Sequence, residues 1–304
     1  EIDKYANQAT QAMFPDTIQL GDITNWRDWD IDWASIDLVT GGFPCQAWSM
    51  AGKQLGDKDE RGMLFWTMLD IMKRVKYHNP KADFLIENVK MKKEFEQYIT
   101  THTENALGEV HKILINSALV SAQNRNRYYW TSFAVEQPED KFVMLKDIIE
   151  SDIVDRDKSF CIDANYFKGG NLKSYFEKNR RQLAFELKSI NHRIVDVTIT
   201  DNGVRPHKGD ARKSGISELG RLFFFDAKKT YTVIASHTPK LIDELGYRKL
   251  TPRECFRLQT VPEHHIDTLL SASISNTQLY KMCGNGWTME VIKHILKSSN
   301  LIKD

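Results

Sequence analysis

Cysteine is scarce in this 304-residue chain. The four present are Cys45, Cys161, Cys255 and Cys283, with no CxxC pair and no His/Cys cluster at metal-ligand spacing. That argues against a disulfide scaffold and against a bound metal, and it suits a reducing cytoplasm. No apolar run approaches the ~20 residues a membrane span needs, and no signal-peptide pattern opens the sequence, so no membrane partner is expected. Internal repeats and low-complexity tracts are missing too, which argues against solenoids and disordered arrays. Net charge is almost absent, at +1, and by itself says nothing about a polyanionic partner.

What is present is ordinary bulk and an uneven charge. Hydrophobic residues make up 41% and charged residues 27%, the composition of a globular protein with room for one large domain and a smaller one. From Lys168 to Thr230 there are 14 Lys/Arg against 7 Asp/Glu, a local +7 inside a chain of +1. Such a stretch is the footprint of a phosphate-binding face, or else a solvated lysine-rich loop region.

Residues 1–133 alternate strand and helix patterns. Ile36 to Thr40 is a short β-prone run ending at Gly41-Gly42, and Asp83 to Ile86 is a second, closed by Glu87-Asn88. Gly62 to Met72 has helical spacing, with Leu64, Met68, Ile71 and Met72 on one side, and Tyr128 to Thr131 reads as another strand. This order predicts a doubly wound α/β sheet with function at the carboxyl ends of its strands. Residues 134–247 lose periodicity and gain Lys, Arg, Asn, Gly and Ser, which predicts an inserted, loop-rich second domain. Helical patterns resume from Arg248. Thr251-Pro252-Arg253-Glu254 is a helix start, and two helices, Gln278 to Met282 and Met289 to Leu296, flank a turn at Cys283 to Gly286.

Three clusters stand at or near strand ends. Cys45 follows Pro44 directly, before a glycine-punctuated loop. A thiol there is either a nucleophile, needing a nearby positive charge to ionise, or a buried structural group. Glu87 could lie beside it on the adjacent strand and share a proton with a ring nitrogen, or merely charge a helix start. Arg125 and Arg127, two apart, would share one strand face and suit anion or carbonyl recognition, or face solvent.

Pro44-Cys45-Gln46, Glu87-Asn88-Val89 and the Gln-x-Arg-x-Arg run from Gln123 to Arg127, in that order, resemble the catalytic motifs of the DNA (cytosine-5) methyltransferase family of bacteria and phages. The likeness spans residues 1–133 and about 228–304. It implies a Rossmann-like methyltransferase sheet with a smaller target recognition domain inserted. The catalytic domain would be 1–133 with 248–304, and the insert 134–247. It implies S-adenosylmethionine as cofactor and S-adenosylhomocysteine as product. Glu1 and Ile2 would hold the ribose, Asp22 and Ile23 the adenine, and Pro44, Leu64 and Asn285 the rest of the cofactor. Cys45 would add to C6 of a flipped cytosine, Glu87 would contact N3 and the exocyclic amine, and Arg127 with Arg125 would hold O2 and a phosphate.

The resemblance also implies a mobile loop, Ser49 to Gly62, closing over the base, with Gln46, Ser49, Lys53 and Arg61 at the DNA. Arg205, Lys208, Arg212, Lys213 and Arg221 are the candidates for DNA contact in the insert. Duplex DNA is the expected partner, and a restriction-modification system, a phage or an orphan modifier the setting. The family opens with a strand and a Gly-rich loop, roughly Phe-x-Gly-x-Gly, that has no counterpart before Glu1. A trimmed monomer is the preferred reading. A split enzyme whose second chain supplies that strand, and a copy that binds DNA without methylating it, are the alternatives. A tRNA-methylating branch is disfavoured by the roughly hundred-residue insert, which suits base reading in DNA grooves.

Overall fold

The computed structural model describes residues 1–44, 62–150, 154–170, 172–187, 197–200, 203–206, 245–299 and 301. The site is organised by a four-stranded sheet in the order β1-β2-β4-β3. Its strands are β1 (Leu38–Gly42), β2 (Asp83–Val89), β3 (His111–Asn116) and β4 (Asn126–Thr131). β1 and β2 run parallel, with Gly42 opposite Glu87, and are joined through α2 (Leu64–His78). β4 is antiparallel to both neighbours, placing Tyr129 opposite Glu87 and Arg127 opposite Val89.

β2 is buried on both faces because its centre, Phe84-Leu85-Ile86, is continuously apolar and at most 1% exposed. Alternation then sorts the side chains. Phe84 and Ile86 join Trp130 in a cluster with Phe65, Met68, Leu69 and Met72 of α2 and Ile99 of α3 (Lys93–Leu107). Leu85 joins Ile115, Tyr129, Val291 and Ile295 on the opposite face. Helices therefore cover both sides, as a doubly wound sheet requires. Each fully buried Phe, Leu or Ile side chain contributes about 1.5–3 kcal/mol.

The buried stripe of α2 is Phe65, Met68, Leu69, Ile71, Met72 and Val75, while Leu64 is only half-buried at the helix start. The helix stops at Asn79, extended at φ −129°, because Pro80 disfavours helical backbone before it. Among the described residues no helix is long and apolar enough to cross a membrane.

A second core is built from the C-terminal helices α5 (Pro252–Leu258), α6 (Glu263–Ser271) and α7 (Asn276–Asn285). Thr251 and Glu254 form the expected reciprocal cap on α5: Glu254 N donates to Thr251 Oγ1 at 3.2 Å and Thr251 N to Glu254 Oε2 at 2.7 Å. The expected turn at Cys283 is displaced. α7 continues through Asn285, and α8 (Met289–Lys297) starts after Gly286-Trp287-Thr288. Gly284 lets this last helical turn lie against residues 163 and 164, since a Cβ there would stand 2.1 Å from the amide nitrogen of Ala164.

Packing does not divide at 133/134 or at 247/248. One cluster unites Leu145, Ile162 and Tyr166 with Leu250, Cys255, Leu258 and Leu279, and also takes in Ala9 of α1 (Lys4–Met13). The described part of 134–187 is irregular apart from short 3-10 turns, α4 (Leu172–Phe176) and β5 (Leu183–Leu187). β5 pairs with β8 (Leu245–Lys249), and β6 (Val197–Thr200) pairs with β7 (Gly203–Pro206).

Candidate active site

The carboxyl ends of β1 and β2 converge on Glu87. Parity puts its side chain on the same face as Leu85 and Tyr129, towards α8. Its Oε1 lies 2.8 Å from Arg127 Nε, and both side chains are nearly enclosed, at 12% and 13% exposure. Trp287 Nε1 donates to the other oxygen, Oε2, at 3.2 Å. The register partner of Glu87 is Gly42, where an added Cβ would sit 3.4 Å from Oε2 and 3.7 Å from the indole nitrogen. A side chain at this exposed position would therefore stand in van der Waals contact with both the carboxylate and the indole.

Asn88 points to the other face. Its Nδ2 donates to the carbonyl of Phe43 at 3.0 Å in a buried setting, and the Phe43 ring packs tilted against Phe65, with centroids 4.9 Å apart. Backbone and ring of Phe43 are thus both pinned, just before half-buried Pro44. Cys45 follows. It lies outside the described residues, as do Gln46, Ser49, Lys53, Arg61, Lys208, Arg212, Lys213 and Arg221. Arg205 falls on β7 opposite Thr198.

Arg125 stands apart from the Glu87–Arg127 pair. It precedes β4 and is 2% exposed. Nη1 donates to Ile162 O at 3.0 Å, and Nη2 to Gly284 O at 3.1 Å and Gly286 O at 2.8 Å. The reading of two arginines on one strand face is corrected accordingly: this guanidinium serves backbone carbonyls from two distant segments. Burial, reinforced by nearby Arg127, lowers its pKa. Burial, with Glu87 second, raises that of Tyr129. Gln123 works in the same way as Arg125, with its Oε1 accepting from Ile162 N at 2.7 Å and its amide donating to Leu258 O at 3.3 Å.

The predicted cofactor segments are brought together at the N-terminal end. Glu1 N donates to Gly21 O at 3.0 Å, so Glu1-Ile2 lies beside Asp22-Ile23. Glu1 Oε1 accepts from the amides of Ile2 and Asp3, each at 2.8 Å. Asp22 caps a 3-10 turn, and hydrogen bonds from the Thr24 amide and hydroxyl hold its carboxyl below the usual range. Ile2 is 74% exposed. Asn285, Gly286 and Trp287 border an open cleft of about 680 Å³, walled by Met289, Ile292, Lys293 and Leu296. Sequence reasoning gave no role to Asn88 or Trp287. The adjacency of Asn88 to Glu87 was a usable signal, whereas nothing local marks the indole.

Known proteins resemble this chain along its length. A family model described as C-5 cytosine-specific DNA methylase matches residues 1–300. The type II methyltransferase M1.ScrFI of Lactococcus lactis subsp. cremoris is 34% identical, over 97% of this chain and 69% of its own. M.HpaII of Haemophilus parainfluenzae is 28% identical, over 96% and 79%. The Entamoeba histolytica methyltransferase EhMeth superposes with a TM-score of 0.61 at 15% identity, over 98% and 87% of the two chains. Spodoptera frugiperda DNMT2 does so with 0.54 at 18% identity, over 98% and 89%. These two structures share the fold.

Proposed function

Because the chain belongs to the C-5 cytosine-specific DNA methylase family, we propose that Cys45, Glu87 and Arg127 act together on a cytosine turned out of a DNA duplex. The protein is a DNA cytosine-5 methyltransferase. One observation carries the finer reading: the end of β1, pinned by Asn88 at Phe43, lies in register with a carboxylate gripped by Arg127.

Inside a duplex, C6 of cytosine is stacked out of reach, so the base leaves the helix before reacting. The Cys45 thiolate adds to C6, forming a C–S bond and moving the ring electrons towards C5. Glu87 faces N3 and the exocyclic amine and shares the N3 proton, which stabilises the electron-rich ring. Arg127 holds Glu87 and stands at the O2 side. When bound, S-adenosylmethionine supplies an electrophilic methyl group to C5. The C5 proton then passes to water, its electron pair forms the C5–C6 double bond, and the C–S pair returns to Cys45.

The residues present fit that cofactor. Glu1 and Asp22 offer carboxylates beside the exposed Ile2 and half-buried Ile23, suited to hydroxyl and amine groups around a flat apolar ring. Asn285 lies at the mouth of the apolar cleft along α8. DNA contact we assign to the basic stretch within 134–247, where cations would position the duplex through its phosphates while other side chains of the segment read base edges. A DNA substrate and free thiols at Cys161, Cys255 and Cys283 suit the cytoplasm, and type II methyltransferases as relatives suit a restriction-modification setting.

Bisulfite sequencing of DNA from a host expressing the complete gene tests this reading. Protected cytosines in one sequence context, lost with Cys45→Ser while duplex affinity persists, are expected. Modification that survives Cys45→Ser contradicts it.

A further inference from the structure

Glu87 is held from two sides by groups that lie 160 residues apart in the sequence. Arg127 approaches Oε1 along β4, and the Trp287 indole approaches Oε2 from the turn between α7 and α8. A carboxylate with one donor can rotate about its last bond, whereas donors on both oxygens fix its plane. The indole is fixed in its turn. Arg125 clamps the carbonyls of Gly284 and Gly286 on one side of Trp287. On the other side, Thr288 Oγ1 donates to Gln259 Oε1 at 2.9 Å and lies 2.8 Å from Ser117 Oγ. Met289 N donates to Gln259 O, also at 2.9 Å. The ring packs against the cluster containing Leu85, Tyr129 and Val291.

We propose that Trp287 is a positioning residue: its indole N–H sets the plane of the Glu87 carboxylate against Arg127, and Arg125 acts through the 284–288 turn to hold the indole there. The incoming base then meets the acid in one orientation. Each carboxylate oxygen has a second lone pair, so the indole and the base donate to the same group without displacing one another. This assignment rests on the reading that Glu87 receives the base.

The test is steady-state methylation of a duplex by Trp287→Phe, by Glu87→Asp and by the double variant, with melting temperatures measured alongside. Trp287→Phe keeps the packing ring and removes the donor, so kcat falls about 10-fold while KM for the duplex and the melting temperature stay near wild type. Glu87→Asp withdraws the carboxylate from the indole, so adding Trp287→Phe to it costs less than about 2-fold. Unchanged kcat in Trp287→Phe overturns the proposal. So does an equal loss in both backgrounds, the signature of a merely structural ring. If Trp287→Phe melts early, Trp287→His, which keeps a ring N–H, decides: kcat below that of the Phe variant at a temperature where both are folded overturns the proposal, and recovery above it supports the proposal. Wild-type turnover in Glu87→Asp and Glu87→Gln instead removes the underlying assignment of Glu87.

Discussion

The carboxamide of Asn88 reaches from β2 to the carbonyl of Phe43, 3.0 Å away, and so ties the end of one parallel strand to the segment that leads into Cys45. Both groups are enclosed, with Asn88 1% and Phe43 5% exposed. A carbonyl left without its donor there costs about 1–3 kcal/mol. Asn88→Ala is therefore expected to lower stability by that amount in urea titration. It is also expected to lower kcat about 10-fold, with duplex affinity retained, because a loosened thiol misses its near-attack geometry. Asn88→Asp puts an acceptor against an acceptor and should be the worse of the two.

The Glu87–Arg127 pair predicts separable effects on stability and turnover. Arg127→Ala leaves a nearly enclosed carboxylate with only the Trp287 donor, a loss of about 2–4 kcal/mol in denaturant titration. Glu87→Gln preserves shape and removes the charge. It should keep duplex binding while lowering kcat by about two orders of magnitude, on the scale of a lost general acid-base group. Duplex binding measured beside single-turnover rates separates the two effects.

Arg125 predicts a structural phenotype. Replacing it with Met leaves Ile162 O, Gly284 O and Gly286 O without their donor. That costs about 3–5 kcal/mol, and Arg125→Lys recovers little because an ammonium cannot span the fork. Gly284→Ala should destabilise comparably, as its methyl would overlap the backbone of Ala164. Urea midpoints of the three variants check both statements.

Acid sensitivity should trace to Glu254. Burial pushes its carboxyl up, but Arg248 and the amides of Glu150 and Thr251 outweigh burial and hold it below the ordinary 4.5. Its side chain is 0% exposed, with Arg248 Nη1 2.7 Å from Oε2 and Glu150 N 2.6 Å from Oε1. A depressed folded pKa gives stability that is present above the unfolded value and is lost as pH falls through the folded one. Denaturant midpoints should decline as pH drops below about 4.5. Glu254→Gln should start lower and decline less steeply, and an unchanged slope in that variant contradicts the assignment.

Much of the sheet was legible in the residues themselves. Phe84-Leu85-Ile86 reads as a buried strand because a strand covered on both faces needs no alternation, and Glu87 stands out as the first charge after it. Thr251 to Glu254 encodes its own cap. β3 was not singled out, its Ile113-Leu114-Ile115 being a short apolar run between polar ends. The fate of Arg125 was illegible for a different reason: its partners lie at residues 162, 284 and 286, and no local spacing encodes contacts that distant. Trp287 is the same case, an indole brought to Glu87 by tertiary packing alone. A boundary at 133/134 looked natural from the loss of periodicity, yet Leu145, Ile162 and Tyr166 sit in the same core as Leu250 and Cys255.

The proposed chemistry requires a bond between Cys45 and the base that Glu87 and Arg127 receive. Its most direct test is peptide mass mapping after the complete enzyme is incubated with S-adenosylmethionine and a duplex carrying 5-fluorocytosine at the target position. Fluorine blocks the loss from C5 that frees the enzyme. A nucleotide adduct on the peptide containing Cys45, absent in Cys45→Ser and strongly reduced in Glu87→Gln, is the expected result. Methylation of ordinary duplex without any adduct, or an adduct on Cys161, Cys255 or Cys283 instead, contradicts the account.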